Sequence, residues 1–332
     1  MWRNSVGSVG WVIVATAASV LAACGSKEPG NATSASGATT TKSTQSSGDA
    51  TAAEVAEEAR GDVDCPPRIK SAARDAKAPV DDVVGVRPGM TYEEAANVVM
   101  CTNDLIVVQA DTSRGFDIKT YGQTLRQGFS ARFAEPRVVK TSKQIMEEMQ
   151  DDFIARSGNA VRQDMKPGQS KWYVGTMGMP GQERVFSAAR EEWFEEGHNP
   201  TVGSVEQALL KKYGTPTRHQ PPAGGRIYLT WAYDTFGRLV TETSPLFNQC
   251  QGVNDPNGGA NLSPDCGLVV SAIAFPMTDN PALAQFIQVG VVDQARGYEA
   301  LTATDQAFQQ QEAQRRAKEV EAAAKNADAP EL

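Results

Sequence analysis

Histidine is nearly missing: two imidazoles in 332 residues leave little material for a histidine-based metal centre or acid–base pair. No multi-span membrane pattern is present, because the apolar or small run at residues 6–20 stops at about 15 residues, short of the ~20 a spanning helix needs. Cations are outnumbered, 32 Lys and Arg against 40 Asp and Glu. The resulting formal charge of -8 repels phosphate backbones and argues against a nucleic-acid partner. No C-x-x-C spacing occurs and neither His198 nor His219 lies near two cysteines in sequence, so zinc is a poorer reading of the cysteines than disulfides. Catalytic signatures are missing too. Gly128-Phe129-Ser130-Ala131-Arg132 breaks the G-x-S-x-G elbow at its last position. Gly175-Thr176-Met177-Gly178-Met179-Pro180-Gly181 spaces its glycines wrongly for a phosphate loop. Neither a cofactor nor a metal is expected, and no catalytic residue is assigned.

The N-terminal region carries the most specific positive signal. The short apolar run follows Met1, Trp2 and Arg3, as in the h-region of a secretory signal, and closes with Leu21-Ala22-Ala23-Cys24-Gly25. That closing motif resembles the lipobox of bacterial lipoproteins. The resemblance implies a signal peptide over residues 1–23 and diacylglycerol on the Cys24 thiol, with more than one acyl chain giving stable anchoring. Gly25 lacks the aspartate that retains such proteins at the inner membrane, so the expected destination is the outer membrane facing the periplasm, or the outer face of the cell membrane where there is only one. An ordinary signal peptide with a chance cysteine and an uncleaved signal anchor are the competing readings.

Removing Cys24 leaves Cys65, Cys101, Cys250 and Cys266, an even number that suits an oxidising compartment. Of three possible connectivities, Cys65 with Cys101 and Cys250 with Cys266 is preferred, each pair bracketing one continuous segment. Residues 24–60 are rich in Ser, Thr, Ala and Gly, and are expected to form a flexible tether.

The body reads as α+β: two degenerate units, 61–140 and 141–299, of short helices packed on antiparallel sheet, before a polar helical or disordered tail at 300–332. Thr91-Tyr92-Glu93-Glu94-Ala95 and Ser204-Val205-Glu206-Gln207-Ala208 both have capping-box form. The first helix should bury Ala95, Val98 and Val99, the second Val205, Ala208, Leu209 and Tyr213, ending at Gly214-Thr215-Pro216. Strands are predicted at 105–108, 131–133, 137–139, 171–174, 183–194, 226–233, 238–240 and 267–275.

Gly85-Val86-Arg87-Pro88-Gly89-Met90-Thr91 followed by Glu94 resembles the helix start of small outer-membrane lipoproteins of the SmpA/OmlA type, which serve the β-barrel assembly machinery. The G-x-P helix end of that family stands only at Gly214-Thr215-Pro216, and the aromatic strand with Trp231 also fits its pattern. The resemblance implies two short helices on an antiparallel sheet, in tandem the β-lactamase-inhibitor-protein fold. The first unit departs from it with Cys101-Thr102-Asn103, and the second lacks G-M-T.

Between the units, Ile145, Met149 and Phe153 with Met146 form a stripe expected to pack on the sheet. Trp172, Trp193 and Trp231 read as core aromatics, and His198 and His219 as surface loop. A candidate recognition loop lies between Cys250 and Cys266, where Asn254, Asp255, Asn257 and Asp265 resemble an incomplete calcium loop lacking its closing glutamate. The expected function is a lipid-anchored cell-envelope protein that binds or scaffolds an envelope protein partner, in outer-membrane assembly or inhibition, without catalysis. The alternative is a periplasmic carboxylate-dependent hydrolase acting on an envelope polymer, which needs two converging acids in a cleft.

Overall fold

A computed structural model arranges eight strands, some alternating apolar with polar residues and some, such as residues 266–276, apolar almost throughout, as one antiparallel sheet. It describes residues 48–69, 78–111, 114–157, 165–252 and 254–326. The expected signal peptide, Cys24 and most of the tether lie outside these residues. The strands are β1 (Ile106–Ala110), β2 (Gly128–Phe133), β3 (Ser170–Met177), β4 (Arg184–Trp193), β5 (Arg218–Ala223), β6 (Arg226–Asp234), β7 (Cys266–Pro276) and β8 (Ala284–Asp293). Their order across the sheet is β1-β2-β3-β4-β8-β7-β6-β5. The helices are α1 (Ala52–Arg60), α2 (Tyr92–Met100), α3 (Ser142–Ser157), α4 (Val202–Tyr213) and α5 (Gln294–Asn326).

Side-chain alternation gives the sheet two buried faces. On one, Ala95 and Val99 of α2 and Val205, Leu209 and Tyr213 of α4 meet Phe129, Trp172, Val174, Trp231, Val270 and Val291. On the other, Met177, Phe186, Val269 and Val292 meet Phe308 of α5, Leu125 and the Cys250–Cys266 pair. Both disulfides join the cysteines expected, Cys65 with Cys101 and Cys250 with Cys266. Among the described residues no helix is long and apolar enough to cross a membrane.

Several expectations need correction. The tether was expected to run to residue 60, but residues 52–60 form α1: Thr51 caps it, Glu54 reaches back, and Ala56 is fully buried. One sheet runs through both expected units, 61–140 and 141–299, since β2 pairs with β3 across their boundary. α4 starts three residues early, since Thr201, not Ser204, is its cap and Ser204 N–H donates to Thr201 Oγ1 at 3.0 Å. Ala208 stays exposed. His219 belongs to edge strand β5 and pairs with Glu206 at 3.0 Å, while His198 lies in an exposed turn as expected. Residues 137–139 and 238–240 contribute only the isolated bridges of Arg137 and Leu239. The stripe on α3 does not pack: Ile145, Met146 and Met149 are 47, 71 and 67% exposed, and the Phe153 side chain lies outside the described residues. The tail is already helical from Gln294, held by Phe308, which is fully buried.

Candidate functional site

A turn before α2 is bent against its own chemistry. Val83 and Val86 exchange backbone hydrogen bonds of 2.9 and 3.0 Å, and the two residues between them, Val84 and Gly85, have φ of 45° and 85°. Positive φ at both central positions is the type I′ pattern that asparagine–glycine adopts readily. Valine there is strained, because its branched Cβ crowds the backbone in the left-handed region. The turn is held by Asp82, whose Oδ2 accepts from Gly85 N–H at 3.0 Å and Lys212 Nζ at 3.1 Å. Tyr213 adds a hydrogen bond from its hydroxyl to Asp82 O at 2.9 Å. The turn is thus clamped onto the end of α4.

Between this turn, α4 and the strand pair β4–β8 runs an apolar groove of about 370 Å³, within the range of small-ligand pockets. Val83, Val205, Leu209, Tyr213, Ile287 and Val289 form its walls, with Val84, Ser204 and Ala208 at the exposed rim. Arg190 contributes a polar point. Its guanidinium pairs with Glu192 at 2.5 Å and lies over the Trp172 ring at 5.5 Å, while its buried Nε–H has no hydrogen-bond partner among the described residues. An unsatisfied buried donor of this kind is costly, and an acceptor atom brought by a ligand would relieve it.

The candidate loop behaves differently from its expectation. Asn254 is not displayed but buried, 4% exposed, donating from Nδ2 to Val291 O at 2.9 Å and Ala188 O at 3.3 Å. It lies directly over Gly290, where any Cβ would collide with the Asn254 carbonyl. Asp255 Oδ1 accepts from the N–H groups of Asn257 and Gly258 and so closes a turn; Asp265 accepts from Gln249 at 2.9 Å. Asn257 reaches the buried Glu191 at 3.4 Å, which also accepts from Trp193 and Gln288 at 2.8 Å each. Asp255 and Asp265 thus accept in separate places, while Asn254 Oδ1 is buried without a hydrogen-bond partner among the described residues. The loop is tied to the sheet through Asn254 and Asn257.

Trp172 and Trp231 are core as expected, but Trp193 is half-buried and stacks on Phe286, itself stacked on Phe275, with centroids 4.7 and 4.1 Å apart. Acidic side chains do gather elsewhere. Asp81, Asp234, Asp293 and Glu299 line a cleft of about 350 Å³ with Arg296. Burial pushes the Asp293 carboxyl upward, with Glu299 and Asp81 adding to the effect against the Arg296 backbone N–H and charge. Two of the four have complete structural duties: Asp293 Oδ1 caps α5 by accepting from Arg296 N–H, and Asp234 closes the turn to Arg238.

No protein-family model matches the chain, and no curated protein or solved structure matches it either.

Proposed function

We propose that this is a lipid-anchored cell-envelope binding protein, held by acylated Cys24, whose groove between the Val84 turn and α4 takes apolar side chains of an envelope protein partner without catalysing a reaction. The observation that carries the binding role is the groove itself: concave, apolar, open at a rim of small side chains, and bounded by a strained turn of the kind that collects at ligand clamps. The anchor draws support from the cysteine count, since four of five pair with one another and leave Cys24 for the lipid. Disulfides of this kind also fit an exported chain destined for the periplasmic face of the outer membrane.

Within this reading the body is a duplicated module. α2 precedes the four strands β1–β4, α4 precedes β5–β8, and the sheet order runs inward from both ends to the β4–β8 pair, as two copies facing across a two-fold axis would give. The copies then begin at Thr91 and Thr201, each the cap of its helix. The tandem reading draws support from this order, with one helix opening each copy where the SmpA/OmlA resemblance implies two. The hydrolase alternative finds its best place in the cleft of Asp81, Asp234, Asp293 and Glu299, and is favoured only by the raised Asp293 carboxyl.

The test is in-cell photo-crosslinking from position 208, exposed at the groove rim, using a benzophenone amino acid, with mass spectrometry of both the adduct and the N-terminal peptide. A specific protein adduct that Ser204→Trp, filling the same groove rim, abolishes, on a chain whose N-terminus is acylated Cys24, supports the proposal. Adducts with lipid alone, or none, would remove the binding role; an unmodified Cys24 would remove the anchor.

A further inference from the structure

Of eleven large apolar side chains left exposed among the described residues, five fall between positions 138 and 149: Val138, Val139, Ile145, Met146 and Met149. Thr141 caps α3, accepting from Gln144 N–H at 3.4 Å while Gln144 Oε1 accepts from Thr141 N–H at 2.9 Å, so the helix is started properly. The spacing of Ile145, Met146 and Met149 then places them on one face, and that face meets solvent. Exposed apolar clusters of this kind mark a contact with a protein or a membrane.

The course of the chain decides between the two. Ala50 and Arg137 exchange backbone hydrogen bonds of 2.8 Å each, Val139 N–H donates to Asp49 Oδ1 at 2.7 Å, and Arg137 pairs with Glu58 at 2.8 Å. The described chain thus begins stitched to the very segment that leads into the apolar face, and Asp49 stands 25 residues after Cys24. The tether expected from the sequence would at that length reach roughly 25–30 Å, so an acylated Cys24 would hold this part of the body within that distance of its bilayer, at an effective concentration on the order of millimolar. At such concentrations a small apolar contact suffices. Lys140 and Lys143 flank the patch with long stems suited to the headgroup level, and Lys143 lies 3.7 Å from Glu147, which offsets that acid.

We infer that Val138, Val139, Ile145, Met146 and Met149 seat on the membrane that holds the lipid anchor, docking the body instead of leaving it to swing on its tether. The inference rests on the anchoring proposed above, and the test separates the two. Full-length acylated protein is reconstituted in phosphatidylcholine–phosphatidylglycerol vesicles and treated with dilute hydrogen peroxide, and methionine oxidation is followed by peptide mass spectrometry. Met146 and Met149 should oxidise several-fold more slowly than in soluble Cys24→Ala protein, while the half-buried Met179 and Met277 keep their rates. Val139→Glu/Ile145→Glu, which alters only exposed positions, should restore fast oxidation in vesicles without lowering the unfolding midpoint. Equal rates in vesicles and solution, on protein whose Cys24 is acylated, overturn the docking alone. An unacylated Cys24 overturns both, and protection in cells but not in vesicles reassigns the face to a protein and overturns the docking as well.

Discussion

Val84 shows how one residue can run against its local rule. Asparagine at this position would relax into the type I′ turn, whereas valine stores strain of about 1–3 kcal/mol. Val84 is 36% exposed, so the burial lost on replacement offsets only part of that strain. Val84→Asn should therefore raise stability by about 1 kcal/mol, read as a higher urea midpoint at unchanged slope, and should lower photo-capture from position 208 by removing methyl groups from the groove. A second residue-scale prediction concerns Asp293. Its carboxyl is raised in the fold, so between its unfolded and folded values the native chain binds more protons than the unfolded one, and stability falls as pH rises through that window. Above the folded value the penalty is complete. Asn in its place keeps an acceptor for the Arg296 N–H but carries no charge. Asp293→Asn should thus be more stable than the parent at pH 7, with the gain fading below the ordinary aspartate value of about 3.9, as denaturation at pH 7 and pH 3.5 would record. A loss of stability at pH 7 would instead point to an unrecognised need for the carboxylate.

Among the elements, α5 gives the sharpest test. Phe308 enters the second core, and Gly297 allows the helix to approach Leu262 and Phe186, which a Cβ would meet at 2.6 and 3.1 Å. Phe308→Ala should cost about 3–5 kcal/mol, whereas removal of residues after 316 should leave the unfolding midpoint nearly unchanged. Sequence reasoning treated this segment as a polar tail because one buried phenylalanine gives no periodic stripe. It placed α2 and the β3–β4 hairpin well, since capping residues and alternating runs are local signals. It missed β8 altogether: Gln285, Gln288 and Gly290 interrupt its alternation, yet Gln288 satisfies Glu191 and Gly290 makes room for Asn254. The helical period of α3 was legible, but not the absence of anything for it to pack against. The groove could not be read at all, because its walls come from stretches around residues 83, 190, 205 and 288. Its one local trace was valine before Gly85 in a turn that favours asparagine.

At the scale of the whole molecule, two disulfides stabilise by different physics. Cys65–Cys101 spans 36 residues and links the segment after α1 to the end of α2 at a half-buried position. Cys250–Cys266 spans only 16, but its two cysteines are 1 and 0% exposed within the second core. Chain entropy alone makes the longer loop worth about 0.7 kcal/mol more, from contributions of about 4 and about 3 kcal/mol. Packing runs the other way and is larger, since emptying a buried site adds a cavity cost that commonly exceeds 1 kcal/mol. The loop between Cys250 and Cys266 also carries Asn254, whose bonds to Ala188 O and Val291 O hold it against the two middle strands. Cys250→Ala/Cys266→Ala should therefore lose more stability than Cys65→Ala/Cys101→Ala in urea denaturation under non-reducing conditions. The opposite order would mean that the loop's hold on β4 and β8 survives without its covalent closure, and that the second core relaxes around the missing sulfurs.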